Sequence, residues 1–149
     1  MSYLFDNVNH NFDISCWDVS NVTNTEFMFD CCFEFKGKGL ENWDVSNVTN
    51  MRHMFGGCKN FNCDLSNWDV SNVTDMTSMF GYCNKFDCDL SNWDVSNVTD
   101  MYSMFTMCKN FKGKGLENWY VSKAEDMRYM FSGCDKMTIP NWYKLYHKK

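Results

Sequence analysis

The sequence predicts a repeat solenoid of about five coils of 25–26 residues. Short parallel β-strands are expected on one face and short helical or 3₁₀ segments opposite. Three observations carry that expectation. Tryptophan recurs at Trp17, Trp43, Trp68, Trp93 and Trp119, at spacings of 26, 25, 25 and 26, and Trp142 follows after 23. The surrounding text repeats nearly verbatim, as WDVSNVTNM, WDVSNVTDM, WDVSNVTDM and a degraded WYVSKAEDM. Each copy then runs into M-F-x-x-C, ending at Cys58, Cys83, Cys108 and Cys134. A lone coil cannot bury one such apolar set, whereas stacked coils bury a column of each residue type.

The chain divides into a partial repeat at 1-13, coils 1 to 5 at 14-39, 40-64, 65-89, 90-115 and 116-138, and a closing segment at 139-149. Met1-Ser2-Tyr3-Leu4-Phe5 matches the middle of a repeat, as in Met101-Tyr102-Ser103-Met104-Phe105, with Val8 in the cysteine register. Within coil 3, Leu65-x-x-Trp68-x-Val70 has the spacing of a leucine-rich-repeat strand with its apolar positions inward. The frame returns as Ile14-Trp17-Val19, Leu40-Trp43-Val45, Leu90-Trp93-Val95 and Leu116-Trp119-Val121. Ser71-Asn72 supplies a polar corner. Val73, Met76, Met79, Phe80, Cys83 and Phe86 then recur at spacings of three and four, which predicts a short helical or 3₁₀ segment. The return segments come in two forms, Lys36-Gly37-Lys38-Gly39 and Lys112-Gly113-Lys114-Gly115 in coils 1 and 4 and the shorter Asn62-Cys63-Asp64 and Asp87-Cys88-Asp89 between them. Glycine permits the bend that the added residue needs. Ile139-Pro140-Asn141-Trp142 begins another strand in this reading, with Lys144 in place of the inward valine and Tyr146-His147-Lys148-Lys149 as a polar closing piece.

Composition bounds the rest. The 149 residues suit one domain, and 44% apolar against 22% charged residues oppose disorder. Lys+Arg 14 against Asp+Glu 19 leaves −5, which disfavours a nucleic-acid binder. No apolar run reaches the roughly 18 residues of a membrane span. MSYLFDNVNHNF lacks a basic n-region and an apolar h-region, so an intracellular, cytoplasmic location is expected.

The string W-D-V-S-N-V-T-D-M-x-x-M-F-x-x-C-x-x-F resembles the bacterial surface protein 26-residue repeat family, related to BspA-type leucine-rich repeats. That family is known from mycoplasma and lactobacillus surface proteins, with similar repeats in protists and large DNA viruses. The resemblance covers essentially the whole chain and implies a non-enzymatic interaction solenoid, with adhesion as the usual role. The chain departs from the surface-protein pattern in showing no signal peptide, lipoprotein cysteine or wall anchor.

Candidate chemistry resolves mostly into repeat structure. Cys32, Cys58, Cys83, Cys108 and Cys134 share one register, which reads as a column of small buried thiols. Cys63 and Cys88 fall in adjacent coils, within the Cα range that a disulfide can bridge. No C-x-x-C pair and only scattered histidines argue against zinc, and no metal or cofactor is expected. Asp18, Asp44, Asp69 and Asp94 form one acidic column, and Asp75, Asp100 and Asp126 a second. Both read as a hydrated face with local backbone hydrogen bonds rather than a calcium site. Asn21, Asn47, Asn72 and Asn97 match the N-x-[ST] acceptor, but they read first as repeat-encoded corners. The Lys-Gly-Lys-Gly loops lack the frame of a P-loop and read as turns. His10, His53 and His147 lie in unlike registers and pair with no repeated Ser or Cys, so no enzyme is expected.

What differs between copies is a set of positions within M-x-x-M-F-x-x-C-x-x-F. They include Arg52-His53, Tyr82, Tyr102, Met107 and Arg128-Tyr129, and such residue types favour interfaces. Together with Asp44, Asp69 and Asp94 on the strand face, these are the candidate interaction residues. The expected role is a protein–protein scaffold for a partner the sequence does not name. The alternative is a structural component that self-associates end to end through an open N-terminal edge, or an adhesion module.

Overall fold

The computed structural model describes residues 2–5, 7, 8 and 10–146. Met1 of the partial repeat and His147-Lys148-Lys149 of the closing piece lie outside them. The expected columns are present. Phe5, Phe29, Phe55, Phe80, Phe105 and Phe131 stack with ring centroids 5.5–5.8 Å apart and planes no more than 10° from parallel. A second set leans against this column, with Phe61 4.3 Å from Phe55 and Phe86 4.1 Å from Phe80. Offset stacking of this kind suits the ring quadrupoles. Trp43, Trp68, Trp93 and Trp119 are buried, with the Trp68 and Trp93 planes 2° apart, and Trp17 is half-buried. The core is one continuous cluster running the length of the stack.

The sheet and the helical face are not present. Among the described residues there is no β-strand, and parallel pairing is confined to isolated bridges at Asn24–Asn50, Asn50–Asp75, Asp75–Asp100 and Asp100–Asp126. The expected strand at Leu65-x-x-Trp68-x-Val70 is a pair of turns. Trp68 N–H donates to the Leu65 carbonyl at 3.1 Å and Val73 N–H to Val70 at 2.9 Å. In coils 2 and 5 the same place is a 3₁₀ turn, Leu40–Asn42 and Leu116–Asn118. The physical reason is spacing. A strand sends alternate side chains to opposite faces, so residues three apart would point opposite ways, whereas one turn brings both Leu65 and Trp68 inward.

The segment expected to be helical is a second series of turns. Met79 N–H donates to Met76, Gly81 to Ser78 and Cys83 to Phe80, at 3.1, 3.0 and 3.0 Å. The intervening N–H groups turn outward to the next coil instead of closing helical bonds. Met76 reaches the Asp100 carbonyl, Ser78 Tyr102, Phe80 Met104 and Tyr82 Thr106, at 2.7–2.9 Å. This geometry requires positive φ at the third residue of alternate turns, the type II pattern. It is met at Ser78 (51°) and Tyr82 (64°), and in the same registers by His53 and Ser103 and by Gly57, Met107 and Gly133. An α-helix would have spent those donors four residues back within its own coil.

The closing segment is also corrected. In place of a strand it forms a six-residue helix, α1, Asn141–Tyr146. Trp142 still continues the indole row, donating Nε1–H to the Leu116 carbonyl at 2.7 Å. Tyr146 Oη donates to the Glu125 carbonyl at 3.2 Å and accepts Met127 N–H at 3.4 Å. α1 thus lays tyrosine hydroxyls along the last coil, where a further coil would offer carbonyls. No helix among the described residues is long and apolar enough to cross a membrane.

Candidate interaction groove

Each coil has two arms that hold their neighbours differently, a Trp arm (65–74 in coil 3) and a Met arm (75–86 in coil 3). In the Trp arm, side chains span the coils. The indole N–H of Trp43, Trp68, Trp93 and Trp119 donates to the carbonyl of Ile14, Leu40, Leu65 and Leu90 in the coil before, at 2.9–3.4 Å. Asn47, Asn72 and Asn97 donate their side-chain amides to Ser20, Ser46 and Ser71 carbonyls at 2.7–2.8 Å. These are three of the four glycosylation-type asparagines, and a glycan there would break a coil-to-coil bond. The cysteine column works the same way. Cys32, Cys58, Cys83, Cys108 and Cys134 each donate S–H to a phenylalanine carbonyl one coil back, at 2.8–2.9 Å. Burial pushes the thiols of Cys58, Cys83 and Cys108 well above their ordinary range. No disulfide forms among the described residues, and Cys88 donates to the Cys63 carbonyl at 2.5 Å.

Of the predicted interaction residues, Asp44, Asp69 and Asp94 are exposed but occupied. Each accepts the N–H of the serine two residues on, at 3.0–3.1 Å, closing an Asx-turn. The serine hydroxyl and amide hold the Asp44 and Asp94 carboxyls below the usual range. The lysine loops are committed as well, with Lys38 on Asp13 at 2.6 Å, Lys114 on Asp89 at 2.5 Å and Lys112 on Asp87.

The Met arm is different, since backbone amides bridge every second residue to the next coil, beside the inward cysteine thiols and Thr106 Oγ1. Most of its outward side chains take no part in the stack. Here the structure opens a groove of about 410 Å³ across coils 1 to 4. His53 and Tyr82 line it, with Gly56, Gly81, Ser78 and Thr106. Asp30 lies within it, 3.6 Å from His53 Nδ1, and Lys59 sits at its side with Nζ 4.6 Å over the Phe33 ring. The other predicted residues fall outside the groove. Arg52 pairs with Glu26 at 3.7 Å, and Arg128 pairs with Asp126 at 2.6 Å and lies 5.7 Å over the Tyr102 ring. Tyr129 meets Tyr102 edge-on at 5.8 Å, and Met107 covers Gly133, whose added Cβ would lie 2.5 Å from the Met107 sulfur.

Sequence reasoning favoured large residues and so missed the small ones that make the hollow. Gly56 and Gly81 form its floor where coils 1 and 4 carry Asp30 and Thr106. A Cβ on Gly56 would fall 2.4 Å from Asp30 Oδ1, whereas one on Gly81 meets nothing nearer than 3.4 Å. Ser78 and Ser103 occupy the register where other coils carry Phe27, His53 and Tyr129. The signal was available as small residues at a register that is bulky elsewhere.

The chain matches the family model described as "Mycoplasma protein of unknown function, DUF285" over residues 1–114 and again over 28–142. The two matches are offset by about one coil, as a repeat shifted along itself would be. No curated protein and no solved structure matches it. With matches that together run from residue 1 to 142, this chain of stacked turns belongs to the DUF285 family.

Proposed function

We propose that the protein is a non-enzymatic protein–protein interaction scaffold whose partner docks on the Met arm. One observation carries this reading. Backbone amides carry most of the coil-to-coil bonds of the Met arm, its outward side chains differ from coil to coil, and they line a groove. The groove volume of about 410 Å³ is that of a small-molecule pocket, room for a side chain of a partner. The finer kinship with BspA-type surface repeats is proposed on the W-D-V-S-N-V-T-D-M string alone.

The alternative is self-association through the N-terminal edge. α1 opposes only its head-to-tail form, because the Tyr146 hydroxyl already occupies Met127 N–H and the Glu125 carbonyl of the last coil. The deciding experiment is capture from the source cell under reducing conditions, in keeping with the intracellular location proposed from the sequence. It compares the native chain with Gly81→Thr, which places in coil 3 the residue that coil 4 carries. A stoichiometric partner lost in Gly81→Thr supports the scaffold. Self-association without a foreign partner, measured by light scattering, refutes it.

A further inference from the structure

An aromatic ladder runs up to the groove and stops at His53, which lines it. Tyr3 stacks on Phe27 at 4.8 Å with planes 11° apart, and Phe27 stacks on His53 at 4.7 Å and 15°. These residues share one register, that of positive φ, which points successive rings the same way. Coils 3 and 4 place Ser78 and Ser103 in that register, and coil 5 resumes with Tyr129. Phe27 of coil 1 stacks on one face of the His53 ring, no ring of coil 3 stacks on the other among the described residues, and His53 and Ser78 both line the groove.

We propose that this gap is a stacking site for a planar aromatic side chain of the partner, a tryptophan or tyrosine, laid on the open face of His53 as the next rung of the ladder. The inference deepens the scaffold reading and rests on it. The ladder supplies the template, since the chain itself repeats near-parallel rings at 4.7–4.8 Å in this register. The floor is shaped for it, because Gly56 and Gly81 remove the side chains that would fill the slot.

The groove is poorly suited to phosphate, which sets it apart from a nucleotide site. Its amides are already spent, with Gly57 N–H on Gly81 O at 2.7 Å, Gly56 on His53 O at 3.1 Å and Tyr82 on Thr106 O at 2.7 Å. The Asp30 carboxylate lines it, Lys59 is drawn over Phe33, and the chain carries −5. Thr106 Oγ1 is likewise engaged, donating to the Tyr129 carbonyl at 2.6 Å.

The test is amide NMR of the full chain titrated separately with N-acetyl-tryptophanamide, N-acetyl-leucinamide and adenosine monophosphate. Saturable shifts at Gly56, Ser78, Gly81 and Ser103 with the tryptophan amide are expected, and His53→Ala should weaken them about 5-fold, the stacking energy of one ring pair. Ser78→Tyr, which installs the residue of coil 5 at the same backbone angle, completes the ladder and should abolish the shifts. Gly81→Thr, if Ser78→Tyr fails to fold, should weaken them as well. Equal response to the leucine amide, preference for the nucleotide, or undiminished binding by both filled variants overturns the proposal. Partner capture that is lost in Ser78→Tyr but not competed by the tryptophan amide also overturns it, and leaves the scaffold standing. Tryptophan-amide shifts that vanish in Ser78→Tyr while partner capture persists show that the partner docks elsewhere, which overturns the proposal and leaves the protein a scaffold.

Discussion

The two arms of a coil solve one problem with different atoms. In the Trp arm, indole, amide and hydroxyl side chains bridge to the coil before. Only the indole recurs unchanged in every coil, since coil 5 carries Lys123 and Glu125 where coil 3 has Asn72 and Thr74. In the Met arm, alternate backbone N–H groups bridge to the coil after, and any residue that tolerates the turn will serve. Ser78, His53, Phe27 and Tyr129 share one register, while the register of Trp68 is tryptophan in all five coils. The contrast teaches where function can be written. Variation collects where backbone amides carry most of the stack, and a repeat built this way can change its surface without loosening its core.

The sharpest way to break the comparison is Trp68→Ala. Trp68 is buried among Phe55 and Trp93, so the cavity should cost about 3–5 kcal/mol in urea unfolding. Trp68→Phe should cost about 1–2 kcal/mol, because the Leu40 carbonyl keeps its bond from Trp43 N–H. An unchanged midpoint in Trp68→Ala would show that the arm does not depend on its side chains. A glycine pair comes next. Gly39 has φ 101°, and a Cβ there would lie 2.4 Å from Ser15 N, which is rigid backbone. Gly57 has φ 73°, and its Cβ would meet the Cys31 sulfur at 3.3 Å. Gly39→Ala should cost about 3 kcal/mol and Gly57→Ala about 1 kcal/mol.

The same contrast explains what was legible in the sequence. Columns of Phe, Trp, Met and Cys follow from the period, because stacking copies any inward residue into a column whatever the local conformation. Local conformation was misread because turns and helices both give spacings of three and four. The distinguishing mark was Gly57 and Gly133 in the register of Tyr82 and Met107, since glycine recurring at one register signals positive φ. In the Trp arm, Leu65-x-x-Trp68 breaks the period of two that a strand requires. The groove was not legible from residue type, because its floor consists of Gly56 and Gly81, which announce nothing singly.

A smaller effect at any one residue comes from pH, and it tests the fixed columns against the variable arm. Burial raises the Cys63 and Cys88 thiols to about 12 and Cys134 to about 11, from an ordinary 9.0. A folded-state value above the unfolded one means that the neutral thiol is favoured on folding. The stability it contributes is fully present below about pH 9 and is lost as pH rises toward 12. Urea midpoints should hold near neutrality and fall across that window, and Cys63→Ala should make the fall shallower. A midpoint that stays level through the window would show that the thiols do not depend on remaining protonated.

The smallest expected effect sits at Tyr82. Its ring is 58% exposed and its φ is 64°, a conformation that L side chains adopt at a cost of about 1 kcal/mol. Tyr82→Gly removes that cost and gives coil 3 the residue that coils 2 and 5 already use there. Against this stands the greater freedom of glycine in the unfolded chain, which takes back about 0.5–1 kcal/mol. The two nearly cancel, so urea stability should stay within about 0.5 kcal/mol of the native chain while one wall of the groove is lost. A destabilisation above about 1 kcal/mol would mean that the Tyr82 side chain supports the stack. The Met arm would then hold its neighbours as the Trp arm does, and the division of labour between the arms would fail.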